Sequence, residues 1–324
     1  MSSLAAEMVE TAEPYRRELL AYCYRMTGSL HDAQDLVQET MIRAWRSAHT
    51  YDLERGSVRT WLYGIATNQC LNTLSNARHR VLPVDLSEPS IVANLVGMKP
   101  NREVPWLEPF PGSAGHPADP AAVVEAQESI RLAFIAALQH LAPLQRAVLI
   151  LRDVLAFSAA DSATLLGTTP AAINSALQRA HDKLDHVAPA EDSSGELTEA
   201  EKRNFLDRYV TAFETHDIDA LTRLLREDVL LQMPPQPAWF AGRDQASAFL
   251  ARSFAHGGRY HLVPTTANGC PAFAMYRKLG APAFELLNLQ VLTLAPGGVA
   301  RIDAFQGSEL FAAFELPERL PEQF

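Results

Sequence analysis

Eight prolines (Pro83, Pro89, Pro100, Pro105, Pro109, Pro111, Pro117 and Pro120) crowd one short stretch of this 324-residue chain. Proline has no amide proton to give and a fixed φ, so neither a helix interior nor an inner strand runs through such a stretch. Residues 81–121 therefore read as a mostly extended linker that divides the chain. The length leaves room for two or three domains, each with its own core. Inside the linker, Trp106-Leu107-Glu108-Pro109-Phe110-Pro111 sets two large aromatics among prolines. They read either as local packing on a neighbouring domain or as a docking element.

Upstream, residues 1–80 read as consecutive helices. Tyr15–Thr27 ends at Gly28, a natural helix-stop residue, and Leu30–His49 follows with Ser29 as N-cap. Asp52–Ser57 is a polar turn before a third helix, Arg59–Arg78. In the second helix, Ala33, Leu36/Val37, Thr40/Met41 and Ala44/Trp45 recur at three- and four-residue spacing, which predicts one buried face. Asp35, Glu39 and Arg43, four apart, form a polar stripe with Gln38 beside it.

Downstream, residues 122–187 are helical again: Ala122–Leu141, Leu144–Leu155, Ser158–Leu166 and Thr169–Val187. Thr169 suits an N-cap and Pro170 the first helical position, so the last start is well specified. Two short helices joined at Leu165-Leu166-Gly167-Thr168-Thr169 form a helix-turn-helix signature, the second helix being the reader. Residues 188–197 are a polar, acidic hinge. From residue 198 to residue 324 the pattern turns from all-helical to mixed. Helices Thr198–His216 and Ile218–Leu225 precede strand-like Val229–Met233, Arg259–Pro264, Ala272–Arg277, Glu285–Leu294 and Val299–Gln306. A helix, Asp244–Phe254, interrupts them, and Ala295-Pro296-Gly297-Gly298 reads as a hairpin turn.

Composition is that of an ordinary globular protein, 48% apolar and 20% charged. No run of about 18 apolar residues occurs, so no membrane span is expected. The first residues hold acids and no apolar h-region, which argues against a secretory signal. Cys23, Cys70 and Cys270 are far apart in sequence with no CxxC pair; they argue against a disulfide framework or a metal site and fit a reducing cytoplasm. No cofactor is expected. The net charge of −10 is uneven: residues 1–80 carry 9 basic and 9 acidic side chains and residues 125–187 carry 5 and 6, whereas residues 188–324 carry 12 and 18. The two helical segments are near neutral, which predicts weak affinity for DNA by themselves.

The wording D-x-x-D-L-x-Q-E-(x)5-W, from Asp32 to Trp45, resembles the core-binding helix of bacterial sigma factors, especially the small extracytoplasmic-function class. The resemblance implies docking of Asp32, Asp35, Gln38, Glu39 and Arg43 on the clamp helices of the RNA polymerase β′ subunit. Arg59–Asn72 (RTWLYGIATNQCLN) is similar to the segment that melts the −10 promoter element in that family. An unstacked base needs polar groups for its edge and a wall for its face. Carried over by position, Asn68 and Asn72 are the polar readers, Asp52–Ser57 is the specificity loop, and Arg55, Arg59, Arg78 and Arg80 meet phosphates. Leu138–Leu155 and Ala156–Gly167 are similar to the family's −35-recognition domain, with Ala172–Ala180 as its reader. Thr169, Asn174, Ser175, Gln178 and Arg179 are the expected −35 contacts, since Asn and Gln suit adenine and Arg suits guanine. Most members have Lys, Ser, Arg where this chain has Asn174, Ser175, Ala176, which implies weaker phosphate contact.

The last segment resembles the SnoaL-like polyketide-cyclase family, a curved-sheet cone with an internal pocket. The likeness rests on Phe205–Ala220, on Val229–Pro234 and on Trp239-Phe240-Ala241-Gly242-Arg243. Trp239, Tyr260, His261, Tyr276 and Asp303 are the candidate pocket residues, and Asn288 and Gln290 could also point inward. The expected architecture is two all-α domains (1–80 and 122–187) plus a C-terminal α+β cone over 198–324. Family cyclases move a proton with an Asp, sometimes helped by a His. Asp303 and His261 have no nucleophile motif, phosphate loop or metal cluster beside them, so the cone reads as a regulatory domain without catalysis that restrains the sigma domains and senses a small ligand. The partners implied are core polymerase, promoter DNA and a small molecule, with no membrane. Two other readings use the same residues: a cyclase-like enzyme or ligand sensor fused to a DNA-binding module, and a helix-turn-helix repressor that ignores polymerase.

Overall fold

The computed structural model describes residues 8, 10–52, 56–75, 77–95, 97, 99–112, 129–187, 197–280 and 283–321. Its chain forms two compact units: Met1–Arg80 with Leu107–Pro189, and Val81–Trp106 with Ala190–Phe324. Arg55, the start of the Ala122–Leu141 helix and most of the 188–197 hinge lie outside the described residues.

In the first unit, a 3-10 turn leads into α1 (Arg16–Thr27), which Gly28 ends in the left-handed region at φ 69°. Helix α2 (Leu30–Arg46) begins at Ser29, whose hydroxyl accepts from Asp32 N at 3.1 Å. It stops three residues short of the expected His49 and gives way to a 3-10 turn, Ala48–Thr50. Helix α3 (Val58–Leu74) is capped by Ser57 and ends four residues before Arg78. Tyr22, Tyr63, Leu19 and Leu62 are fully buried between these helices. The Tyr22 and Thr67 hydroxyls meet at 2.7 Å, and burial raises the pKa of Tyr22 well above the usual phenol range. Cys23 and Cys70 are buried free thiols with sulfurs 3.8 Å apart.

The second group of helices in this unit is α4 (Leu132–Gln139), α5 (Pro143–Leu149, continuing as a π-turn over Ile150–Val154), α6 (Ala159–Leu165) and α7 (Pro170–Val187). Val148, Ala163, Ile173 and Ala176 form a small apolar cluster that joins α5, α6 and α7. The two groups pack on one another. Phe157 stands edge-on to Tyr63 with ring centroids 5.2 Å apart, and the Arg59 guanidinium lies 4.9 Å from the Phe157 centroid. A Cβ on Gly64 would come within 3.2 Å of Leu165, so glycine lets α3 and α6 approach.

Arg146 is the deepest tie. At 1% exposure, it donates to the Gln139 side-chain oxygen (2.8 Å), to the Gln139 and Leu141 carbonyls (3.1 and 3.2 Å) and to the Met26 carbonyl. Met26 is in the last turn of α1, where carbonyls lack helical partners and favour a cation. Burial lowers the Arg146 pKa to about 10, so it stays charged at neutral pH. Arg25 makes a similar tie to the Ser129 carbonyl and hydroxyl, at 3.1 and 2.8 Å.

The second unit opens with α8 (Glu199–Glu214), started by a Thr198/Glu201 capping box, and α9 (Ile218–Leu224). A mixed sheet follows: β1 (Leu225–Gln232), β2 (Trp239–Ala241), then α10 (Arg243–Ala255), β3 (Arg259–Ala267), β4 (Cys270–Lys278), β5 (Phe284–Ala295) and β6 (Gly298–Phe305). A short helix α11 (Ser308–Ala313) and β7 (Arg319–Leu320) close the unit. Strand order is β2-β1-β6-β5-β4-β3, with β7 beside β5; β1 and β6 pair in parallel and the other neighbours antiparallel. The expected turn at Ala295–Gly298 joins β5 to β6, where a side chain on Gly298 would strike the Leu224 carbonyl at 2.5 Å. Asn268-Gly269 makes the β3–β4 hairpin with both residues at positive φ, a signal that extends β3 beyond the expected Pro264.

The linker is not a free tether. Residues 81–106 belong to the second unit, as two 3-10 turns (Pro83–Asp85 and Val92–Asn94) whose backbone groups find scattered partners instead of a ladder. Val84 N donates to Gln232 Oε1 at 3.3 Å, Ser90 N to the Trp239 carbonyl at 2.7 Å and Val92 N to Gln245 Oε1 at 3.0 Å. Leu107–Phe110 instead joins the first unit, where Phe110 packs on Tyr24 with centroids 4.8 Å apart. Both aromatics are thus seated inside the chain: the Trp106 indole N–H donates to the Asn101 carbonyl at 2.6 Å.

Arg146→Leu leaves the Met26 and Leu141 carbonyls without this donor. Chemical denaturation of the full chain is expected to show a loss of about 2–4 kcal/mol.

Candidate functional site

Helix α2 divides its polar residues between internal ties and solvent. Asp32 Oδ2 accepts from Arg80 Nη2 at 2.7 Å, and Glu39 Oε1 accepts from Arg43 Nε at 2.7 Å. With its amide turned to suit, Gln69 on α3 also accepts from the Arg43 guanidinium. Asp35 and Gln38 are exposed, with the His31 ring 3.7 Å from the Asp35 carboxylate. Trp45, expected on the buried face, is 39% exposed. The reason is its phase: Trp45 is seven residues from Gln38 and ten from Asp35, so all three share one face with half-buried Ile42. Ala44 carries the core contact at that end of the helix, at 1% exposure.

Glu108 holds the start of α2. Its Oε2 accepts from Ser29 Oγ (2.9 Å), Leu30 N (2.8 Å) and His31 N (3.2 Å), a carboxylate on the positive end of the helix dipole. Its amide donates to the Gly28 carbonyl at 3.0 Å, and its own carbonyl accepts from the Tyr24 hydroxyl at 2.7 Å. Nothing in the sequence spacing marked this contact, because 79 residues separate Ser29 from Glu108.

On α3, Asn68 and Asn72 are exposed one turn apart, so they share a face, and Arg78 beyond its end is exposed as well. Arg59 is not available to phosphates as expected. It forms an ion pair with Glu18 and is stacked between Tyr63 and Phe157. Burial is the largest single influence and works against its charge, but the hydrogen bond and charge of Glu18 together with Tyr63 outweigh it and raise the Arg59 pKa. Arg80 is likewise spent on Asp32.

On α7, Asn174, Ser175, Gln178 and Arg179 all face solvent. Thr169 caps the helix by accepting from Ala172 N at 3.2 Å. Ala176 is 4% exposed and belongs to the apolar cluster, so this position packs inward and not on the outer face.

The C-terminal unit holds a cavity of about 370 Å³ between the sheet, α8, α10 and linker residues Leu95 and Gly97. Of the candidate pocket residues, Tyr260 lines it; Trp239, His261, Tyr276 and Asp303 do not. Side chains alternate along a strand, and these choices have the wrong parity. Ile302 and Ala304 face the cavity, so Asp303 between them faces away, held by Gln232 Nε2 at 2.5 Å and Arg301 Nε at 2.9 Å. Met275 and Arg277 face it, so Tyr276 points elsewhere and donates to the Pro317 carbonyl at 2.9 Å. His261 Nδ1 is 2.9 Å from Glu214 Oε1, and Trp239 Nε1 donates to the Ser87 carbonyl at 2.7 Å. Asn288 and Gln290, the two polar residues of β5 named beside them, do line the cavity. A register shift opposite Leu287 turns both Leu287 and Asn288 inward. Among the described residues no group of His, Cys, Asp or Glu could hold a metal ion, and no helix is long and apolar enough to cross a membrane.

Three family models match this chain. The sigma-70 region 2 model matches residues 11–80, the sigma-70 region 4 model residues 131–184 and the SnoaL-like domain model residues 206–305. The chain is 46% identical over 312 residues to the ECF RNA polymerase sigma factor SigG of Mycobacterium tuberculosis, covering 95% of this chain and 83% of that one. It is 32% identical over 222 residues to SigJ of the same organism, covering 68% and 63%. The crystal structure of M. tuberculosis SigJ shares the fold, with a TM-score of 0.61 at 22% identity over 95% of this chain and all of that one. Region 2 followed by region 4 defines a sigma-70-type transcription initiation factor. The chain belongs to the extracytoplasmic-function sigma factors, in the form that carries a C-terminal SnoaL-like domain.

Glu108→Ala removes the carboxylate that caps α2. The expected loss is about 1 kcal/mol, read as faster hydrogen exchange at the Leu30 and His31 amides with little change in α7.

Proposed function

We propose that this chain docks on core RNA polymerase through the outer face of α2, reads the −10 element with α3 and the −35 element with α7, and is regulated by its C-terminal domain without catalysis. The observation that carries the docking is the division of labour on α2. Asp32, Glu39 and Arg43 are engaged within the first unit, while Asp35, Gln38 and Trp45 present an exposed face that combines an acid, an amide and an indole. Exposed tryptophan beside polar groups is the composition of an interface anchor. The β′ clamp helices are the partner that this face suits by family.

Asn68, Asn72 and Arg78 supply polar groups for the −10 strand, and Asn174, Ser175, Gln178 and Arg179 supply base-reading groups for a major groove. Arg55 completes the −10 set by family position only. The first unit is near neutral, so most DNA affinity comes with the polymerase. That function belongs in the cytoplasm.

Regulation follows from which unit owns the linker. Backbone groups of residues 84–95 bond to β1, β2 and α10 of the C-terminal unit. The segment between the two promoter-reading regions is therefore under the control of the SnoaL-like domain. Asp303 and His261 support no catalysis: each is bonded to a different partner, and neither lines the cavity.

Transcription with core polymerase and a promoter library tests this reading, using the full chain and residues 1–187. Promoter-specific initiation is expected, and failure of both proteins at every promoter overturns it. Asp35→Lys and Trp45→Ala are each expected to weaken polymerase association by about tenfold or more. Arg179→Ala should alter promoter choice and leave polymerase association unchanged.

A further inference from the structure

We propose that the cavity of the C-terminal unit binds a small apolar monoanion that also carries a hydroxyl, and that linker residues Leu95 and Gly97 form part of the site. The inference rests on the reading of this domain as a non-catalytic regulator and names what it would respond to.

Three observations define the ligand. Asn288 is 5% exposed, lines the cavity, and its side-chain oxygen has no hydrogen-bond partner among the described residues. Native folds keep few such groups, and a hydroxyl satisfies either side of an amide. Beside it, Gln290 is already engaged by the Tyr209 hydroxyl at 2.9 Å, so Asn288 is the open position. The second observation is charge. Residues 188–324 hold 18 acids against 12 bases, yet among the described residues the cavity is lined by Arg252, Arg277 and His256 and by no Asp or Glu. Arg252 and His256 are exposed and Arg277 is half-buried, so the two guanidinium groups sit toward the open side of the cavity, where positive charge at a concave site favours an anion. The third is the apolar remainder, with Met233 and Met275 among it, side chains that adapt to irregular shapes. At about 370 Å³ the space is at the small end of ligand sites.

The linker shares this site. Leu95 and Gly97 line the cavity, and Arg252 donates to the Val92 and Leu95 carbonyls, both at 3.2 Å. One guanidinium thus holds the linker and faces the cavity. An anion that uses its remaining N–H groups and packs against Leu95 tightens the linker's seat, and by linkage a seated linker tightens the anion.

The test uses the full-length protein and 6-hydroxy-2-naphthoate, with 2-naphthoate (no hydroxyl) and 2-naphthol (no carboxylate) as comparators, in titration calorimetry. The hydroxy-acid is expected to bind about fivefold or more tighter than either comparator. Asn288→Leu should erase its advantage over 2-naphthoate, and Arg277→Gln its advantage over 2-naphthol. The comparison of three probes on the unaltered protein needs no variant to fold. Leu95→Trp, which fills the cavity from the linker side, should block all three. Hydrogen exchange across residues 90–97 should slow on binding. Equal binding of the three probes, or no binding at millimolar concentration, overturns the site; binding with unchanged or faster exchange at 90–97 overturns the linker's part in it. Promoter-specific transcription without probe binding overturns only this inference, whereas probe binding without transcription overturns only the sigma-factor reading.

Discussion

Arg146 is the constraint on which the first unit depends. A guanidinium at 1% exposure, with carbonyls from α1, α4 and the α4–α5 turn around it, permits very little displacement of either helical group. A buried cation without its acceptors is far costlier than an exposed one, so the geometry around it is all-or-none. The same body then admits Phe157 against Tyr63 and Arg59, and Leu165 against Gly64. The packing of the region 2 and region 4 helices on each other is thus a consequence of polar burial as much as of apolar area.

That arrangement spends groups that promoter binding would otherwise use. Arg59 is committed to Glu18 and Phe157, and Arg80 to Asp32. What is left on the surface is selective: amides and a few cations on α3 and α7, and an acid, an amide and an indole on α2. Each face is defined by what the internal ties have not consumed.

The linker changes owner at one peptide bond. Up to Trp106 it belongs with the SnoaL-like sheet, and from Leu107 it belongs with the helices, where Glu108 caps α2. Proline-rich backbone suits this role because it needs few partners and takes them one at a time. Leu95 then enters the wall of the cavity of that unit.

By itself the sequence determined the division into helical, linker and α+β segments, the caps at Ser29 and Thr169, and the helix-turn-helix, because these depend on local periodicity and turn chemistry. It also placed Asn68, Asn72, Asn174 and Gln178 on surfaces. Tertiary structure decided the rest. Trp45 came out exposed because α2 buries Ala44 instead, one residue and about 100° away. His261, Tyr276 and Asp303 fell on the far side of their strands, since a shift of one residue reverses the face and no local signal sets the register. Glu108 on α2, Arg146 on α1 and Leu95 in the cavity join residues more than 70 positions apart. Such contacts depend on the path of the whole chain, and local sequence carries no trace of it.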